Sequence, residues 1–175
     1  MKLRHIVSGF ASLAVTTIGS ARAGEATSAC KLLTVAELEA VVGGKASQPP
    51  VGDKQAVPGM TLDECDVTLS APNSVHPVSV RVVGDIGIDG AQAIKMRNAG
   101  QAREQQWKMP GAKFEQASVG AALCVLAGRP SVASHTVCSI PRGEGYVEVE
   151  VTGSVSDLPS MATVGALAQK AVSRL

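Results

Sequence analysis

The sequence predicts an α+β domain in which helices pack on an antiparallel sheet. Valines alternate with polar residues over 78–82 and over 147–151, the period-two pattern of half-buried strands. Apolar residues from about Ser160 to Arg174 recur instead at helical spacing, with Pro159 suited to the first turn. Short polar connections between successive strands favour hairpins, and so antiparallel pairing. The predicted element order is α-β-β-α-β-β-β-β-α.

Residues 1–23 have the features of a secretory signal peptide. A basic start and an apolar run from Ile6 to Ile18 precede Ala21-Arg22-Ala23, an A-x-A cleavage site. Cleavage after Ala23 would leave 24–175 as a single exported domain, periplasmic or secreted. The apolar run is too short for a permanent membrane span, and no later segment is long enough. The residues before Cys30 form a poor lipobox, so we do not expect a lipoprotein.

The charge balance excludes one class of partner. The whole chain has 16 basic and 15 acidic residues. Cleavage removes Lys2, Arg4 and Arg22, which leaves 13 bases (16 minus 3) against 15 acids. A net charge of −2 gives no general attraction to nucleic acid.

The mature chain opens with a short helix whose ends are well specified. Thr34 and Glu37 are spaced as a capping box, and Leu33 and Leu38 fit a hydrophobic staple. Gly43 follows where a helix commonly ends. The next stretch, 44–59, contains three prolines and is predicted to be a surface loop.

The remaining elements follow from alternation and turn residues. A hairpin is predicted from 65–71 and 78–82, turning at 72–74. A helix is predicted from Asp89, its cap, to Trp107. Further strands are predicted at 113–119, 121–127, 134–140 and 145–152.

Four cysteines in an exported chain indicate two disulfides, for which three pairings exist. A hairpin centred on Ser131 would place Cys124 opposite Cys138 within bridging distance. We therefore favour Cys124–Cys138 together with Cys30–Cys65, which would tie the first helix to a strand. A four-residue connection after Pro141 would set Cys138 opposite Val149, the register that keeps apolar side chains on one face.

The opening Cys30-Lys31-Leu32-Leu33-Thr34, the acid at Glu37, Gly43 and the second cysteine Cys65 resemble a group of small bacterial exported proteins and lipoproteins of unknown function, commonest in actinobacteria. The glycine-led segment 119–122 and the final helix are similar in kind. The resemblance implies a PsbP-like α-β-α sandwich, a scaffold associated with binding rather than catalysis. The resemblance assigns no functional residues to this chain. The missing lipobox implies a soluble periplasmic form.

The helix 89–107 is the best candidate for a binding surface. Five bases and one acid, Glu104, lie between positions 95 and 113. Together with Trp107, such a basic surface could meet an acidic protein, an anionic lipid or an anionic polymer, although a merely solvated helix would show the same pattern. The candidate binding residues are Lys95, Arg97, Arg103, Trp107 and Lys108.

Other chemistry has weaker support in the sequence. His76 and His135 have no partner at a ligand-like spacing, and the cysteines lack Cys-x-x-Cys spacing, so neither a metal nor another cofactor is expected. Glu148 and Glu150 share one face of a strand. Paired carboxylates can act as acid and base, but alternation with valines predicts a solvated face.

These observations give one leading hypothesis and two alternatives. The first is a non-enzymatic exported protein that binds an unidentified protein or small ligand through helix 89–107 and adjoining loops. The second is an inhibitor or immunity protein that acts against an enzyme of the cell envelope. The third is an enzyme of unrecognised type, for which Glu148 would be the residue to test.

Overall fold

The structure is a computed structural model that describes residues 29–108, 111–128 and 133–175, without the side chains of 105–108. The predicted signal peptide lies outside the described residues. The described part begins with a 3₁₀ turn, Ala29–Lys31. The helices that follow are α1 (Val35–Val42), α2 (Gly90–Lys108) and α3 (Met161–Val172). The strands are β1 (Lys45–Ala46), β2 (Val51–Val57), β3 (Met60–Ala71), β4 (Ser74–Gly84), β5 (Lys113–Val119), β6 (Ala122–Gly128), β7 (Ser134–Pro141) and β8 (Tyr146–Gly153).

All eight strands form one antiparallel sheet. The order across it is β1-β3-β4-β8-β7-β6-β5, and β2 pairs with the same edge of β3 as β1 does. Consecutive strands are neighbours except for β1 and β2, which both pair with β3, and for β4 and β5, which α2 separates. The chain therefore crosses the sheet once, and β8 returns to pair with β4. This confirms the predicted antiparallel α+β class.

The two faces of the sheet differ in composition because side chains alternate along each strand. The core face carries apolar residues and both disulfides, and it is covered by the 3₁₀ turn, α1 and α3. Its most completely buried side chains include Leu69, Val78, Val147, Val149 and Val151. The opposite face is more polar, and α2 lies on it. Helices therefore pack on both faces, and α2 and α3 contact the same four strands, β5 to β8, from opposite sides.

Most predicted elements are confirmed, with shifts of one or two residues at many ends, but β3 begins five residues and β4 four residues earlier than predicted. The predicted surface loop at 44–59 is wrong, because it contains β1 and β2. Six of the seven residues of β2 are exposed, so no apolar alternation marks it. Its backbone pairs with the long strand β3 through a tight connection at Pro58-Gly59, where Gly59 has a φ of 79°. In the sequence, the pair Pro58-Gly59 is typical of the centre of a tight turn and could have predicted this hairpin.

Both predicted disulfides are present, Cys30–Cys65 and Cys124–Cys138. The predicted register is also confirmed, since Cys138 lies opposite Val149. Two disulfides suit a compartment outside the reducing cytoplasm. Among the residues described, no helix is long and apolar enough to cross a membrane.

The two terminal segments of the described chain are joined through Glu37. Thr34 and Glu37 form the predicted capping box at the start of α1. The Glu37 carboxylate also accepts hydrogen bonds from Arg174, at 2.5 and 2.7 Å, and pairs with Lys170 of α3 at 2.7 Å. Arg174 donates a further bond to the carbonyl of Leu32.

The helix α3 begins after its N-cap Ser160, so Pro159 precedes the cap instead of occupying the first turn.

Candidate ligand-binding groove

The helix α2 is attached to the sheet by few apolar contacts. Asp89 caps it, as predicted, by accepting a hydrogen bond from the backbone N–H of Gln92 at 3.1 Å. Only Ile94 is a fully buried large apolar residue on its described part. Asn98, one turn further along, is also buried. Polar contacts therefore account for much of how α2 is positioned.

The chief polar contact is made by Arg97. Its guanidinium pairs with Glu148 of β8 and donates to the hydroxyl of Ser139 at 2.9 Å. It also lies over the ring of Tyr146, 5.3 Å from the centroid, a cation–π arrangement. These contacts hold the middle of α2 against β7 and β8.

Glu148 belongs to a charge cluster that crosses three strands. Arg81 of β4 pairs with Glu64 on one side and with Glu148 and Glu150 on the other, the last two at 3.1 and 2.5 Å. Burial would lower the pKa of Arg81, but its contacts with Glu64 and Glu150 outweigh burial and raise the pKa above the ordinary arginine value. Arg81 is therefore a fixed cation. The predicted solvated face is wrong for Glu148, which is only 5% exposed.

A groove runs between α2 and the last two strands of the sheet, β5 and β6. Its volume is about 670 Å³. The floor contains Phe114 and Leu123, and the small side chains of Ala99 and Ala102 form part of the helix wall. Because β5 is the last strand of the described sheet, the groove lies at the sheet edge.

Cations line this groove on the helix side. Lys95 and Arg103 both contribute to its lining and are both exposed. Within the described part of the chain, neither has an ion-pair partner. Two unpaired cations beside an apolar floor form a site suited to an anionic ligand that also has an apolar part.

The structure separates the predicted binding residues into three groups. Lys95 and Arg103 both line the groove. Arg97 does not join them, because its side chain is engaged with Glu148 and Ser139. Trp107 and Lys108 end α2, and their side chains lie outside the described part.

Several groove residues were absent from the prediction. Asn98, Phe114, Gln116 and Leu123 line the groove, but three of them lie on strands that the sequence does not connect to α2. Of these residues, Phe114 could have been singled out from the sequence, because it is the only aromatic residue of β5. The pairing of β5 with β6 was predictable, whereas the position of α2 above them was not.

Other parts of the structure are weaker candidates for a functional site. Within the described ranges, no group of three or more histidines, cysteines or acids could hold a metal ion. A second groove of about 340 Å³ lies between α1 and α3, beside Val41, Ala166 and Leu167. Its charged residues Glu37 and Lys170 are already paired with each other. The sulfur of Cys30 is bonded to Cys65 and so cannot also carry a thioether-linked lipid.

Comparison with models of protein families and with curated protein sequences finds no match for this chain.

Proposed function

We propose that this protein is an exported, non-enzymatic binding protein that holds an anionic ligand in the groove between α2 and β5–β6. The observation that carries the proposal is the pair of cations Lys95 and Arg103, which have no ion-pair partner among the described residues and lie beside an apolar floor. Exposed charge without a partner is free to attract a ligand, and the apolar floor contributes burial of the ligand's uncharged part. The groove volume falls within the usual range for ligand sites.

The charge cluster supports a binding role over a catalytic one. Glu148 was the residue on which an enzymatic hypothesis would depend. It lies between Arg81 and Arg97 and also accepts a hydrogen bond from Ser139. Both carboxylate oxygens of Glu148 are thus engaged by groups of the protein, and the residue is buried. The cluster instead positions α2, which forms one wall of the groove.

The PsbP-like scaffold remains part of the proposal. Its support is the arrangement of helices on both faces of an antiparallel sheet, together with the disulfide that joins the opening segment to β3. Export is proposed from the signal-peptide pattern of 1–23, and the two disulfides support it.

A fluorescent aromatic sulfonate, anilinonaphthalene sulfonate, is a suitable probe because it combines a negative charge with an apolar ring system. We expect the double variant Lys95→Glu and Arg103→Glu to weaken its binding by about tenfold or more. The matched control is Lys31→Glu with Lys54→Glu, which makes the same charge change at exposed positions away from the groove. Control affinity should stay within about twofold of wild type. Equal losses in both double variants would contradict the proposal.

Unfolding midpoints provide the necessary check on that experiment. All four lysines and arginines are exposed, and none has an ion pair in the described part of the chain. Surface changes of this kind alter stability by about 0.5 kcal/mol or less. Both double variants should therefore fold like wild type, and a binding difference between them reports on the groove.

A further inference from the structure

We propose that the occupant of this groove is an extended acidic segment of a partner protein, which adds itself to the sheet alongside β5. The inference rests on the proposed function, since it assigns an occupant to the same groove. Two features of the described structure carry it: β5 lies at the edge of the described sheet, and Lys95 and Arg103, which have no ion-pair partner among the described residues, are spaced along α2.

The edge of β5 is available for pairing. Among the described residues, β5 pairs with β6 alone, through all seven of its positions from Lys113 to Val119. Its outer edge therefore presents backbone N–H and C=O groups that no described strand uses. The carbonyl of Val119 is an exception, because it accepts a hydrogen bond from Gln169 of α3 at 2.8 Å. An added strand would pair along the stretch before Val119.

An added strand would also reach the groove. Phe114, Gln116 and Ser118 alternate along β5 and all line the groove. A neighbouring strand lies about 4.8 Å beyond β5, and its alternate side chains point to the same face as these three residues. Those side chains would therefore lie beside α2, where the cations are. Main-chain pairing would provide affinity, and the groove would select the side chains.

The spacing of the cations predicts a motif. Lys95 and Arg103 are eight positions apart, which corresponds to about 12 Å along a helix. Residues four apart on a strand are separated by about 13 Å and point to the same face. Where the added strand runs alongside α2, an acid at each of two positions four apart would match the cations, and the position midway between them would lie beside Ala99, which is midway between Lys95 and Arg103. The preferred segment therefore reads acid-x-apolar-x-acid.

Binding of dye-labelled peptides, measured by fluorescence anisotropy, tests the motif. The first peptide contains Asp-Thr-Val-Thr-Asp within neutral flanks. The second has the same composition with the two acids three positions apart, which places them on opposite faces of a strand. We expect the first to bind about tenfold more tightly than the second, and to displace anilinonaphthalene sulfonate. Equal affinity for the two peptides would overturn the motif.

Backbone methylation tests the strand pairing itself. In a strand, alternate N–H groups point to the same neighbour. One peptide is therefore N-methylated at the two acids and the central apolar residue, and another at the two intervening threonines. Pairing with β5 predicts that one set abolishes binding while the other leaves it within about threefold of the parent. If the two sets have equal effects, the inference is overturned.

The outcomes separate this inference from the function on which it rests. If Lys95→Glu with Arg103→Glu weakens the sulfonate and the peptide but both methylated sets still bind, the anion site stands and the added strand does not. If the sulfonate binds the double variant as tightly as wild type, the anion site itself fails. A small anionic molecule as the natural occupant would be indicated by sulfonate binding in the groove without binding of the first peptide.

Discussion

Arg97 of α2 and Glu148 of β8 form an ion pair that holds one wall of the candidate groove against the sheet. The two residues are separated by 51 positions in the sequence. Their side chains are 25% and 6% exposed, so the pair is largely removed from solvent. Arg97 was expected at the binding surface and Glu148 on a solvated face, and instead each is the partner of the other.

Replacing Glu148 with glutamine should therefore cost stability and loosen α2. The change leaves Arg97 without its negatively charged partner and removes one of the carboxylates that face Arg81. Removing one partner of a buried pair typically costs about 3 kcal/mol. Urea unfolding would measure this. The control Glu144→Gln changes an exposed loop residue and should stay within about 0.5 kcal/mol of wild type, so similar losses in the two variants would contradict the assignment.

Two glycines of α2 should respond in opposite directions to alanine. A Cβ at Gly90 would collide with the carbonyl oxygen of Gly145, whereas one at Gly100 meets nothing within 4 Å. Gly90→Ala should destabilise the protein by about 2 kcal/mol through overpacking. Gly100→Ala should stabilise it by about 0.8 kcal/mol, because alanine favours helix. Thermal or urea unfolding of the two variants measures both, and destabilisation by both would argue against this placement of α2.

Acid should weaken the contact between α1 and α3. Hydrogen bonds from Arg174, Lys170 and the backbone N–H of Thr34 hold the pKa of Glu37 well below its ordinary value. The folded state thus favours the charged carboxylate. The resulting stability is present above the ordinary pKa of 4.5 and is lost as the pH falls below it.

The variant Glu37→Gln isolates this contribution. Its unfolding midpoint should lie below that of wild type at neutral pH, and the difference should shrink as the pH falls below 4.5. Thermal unfolding followed by circular dichroism at several pH values measures the difference. A gap that stays constant from neutral to acid pH would show that the charge of Glu37 is not what joins the helices.

The two disulfides should make separate contributions. The bond Cys30–Cys65 spans 35 positions and Cys124–Cys138 spans 14. Chain entropy alone predicts losses of about 4 and about 3 kcal/mol when each pair is replaced by alanine. Chemical unfolding of the two double variants would measure these losses. Thiol titration of the native oxidised protein should find no free thiol, and a titratable thiol would contradict the pairing.

The structure shows which parts of the sequence were informative. Cys124 and Cys138 could be paired in advance because a local hairpin and its register bring them together. The strand β2 could not be predicted from alternation, because it is exposed on both faces and depends on the edge of β3. Only the cationic part of the groove could be predicted. The local excess of basic residues identified Lys95 and Arg103, but Arg97 could be distinguished from them only through its distant partner, Glu148.

The most direct test of the groove is a map of where an anionic ligand changes the backbone amide spectrum of the isotope-labelled protein. Anilinonaphthalene sulfonate should shift the amide signals of α2 around Lys95–Arg103 and of β5 around Phe114–Ser118. Shifts confined to the second groove, around Val41 and Leu167, would contradict the account.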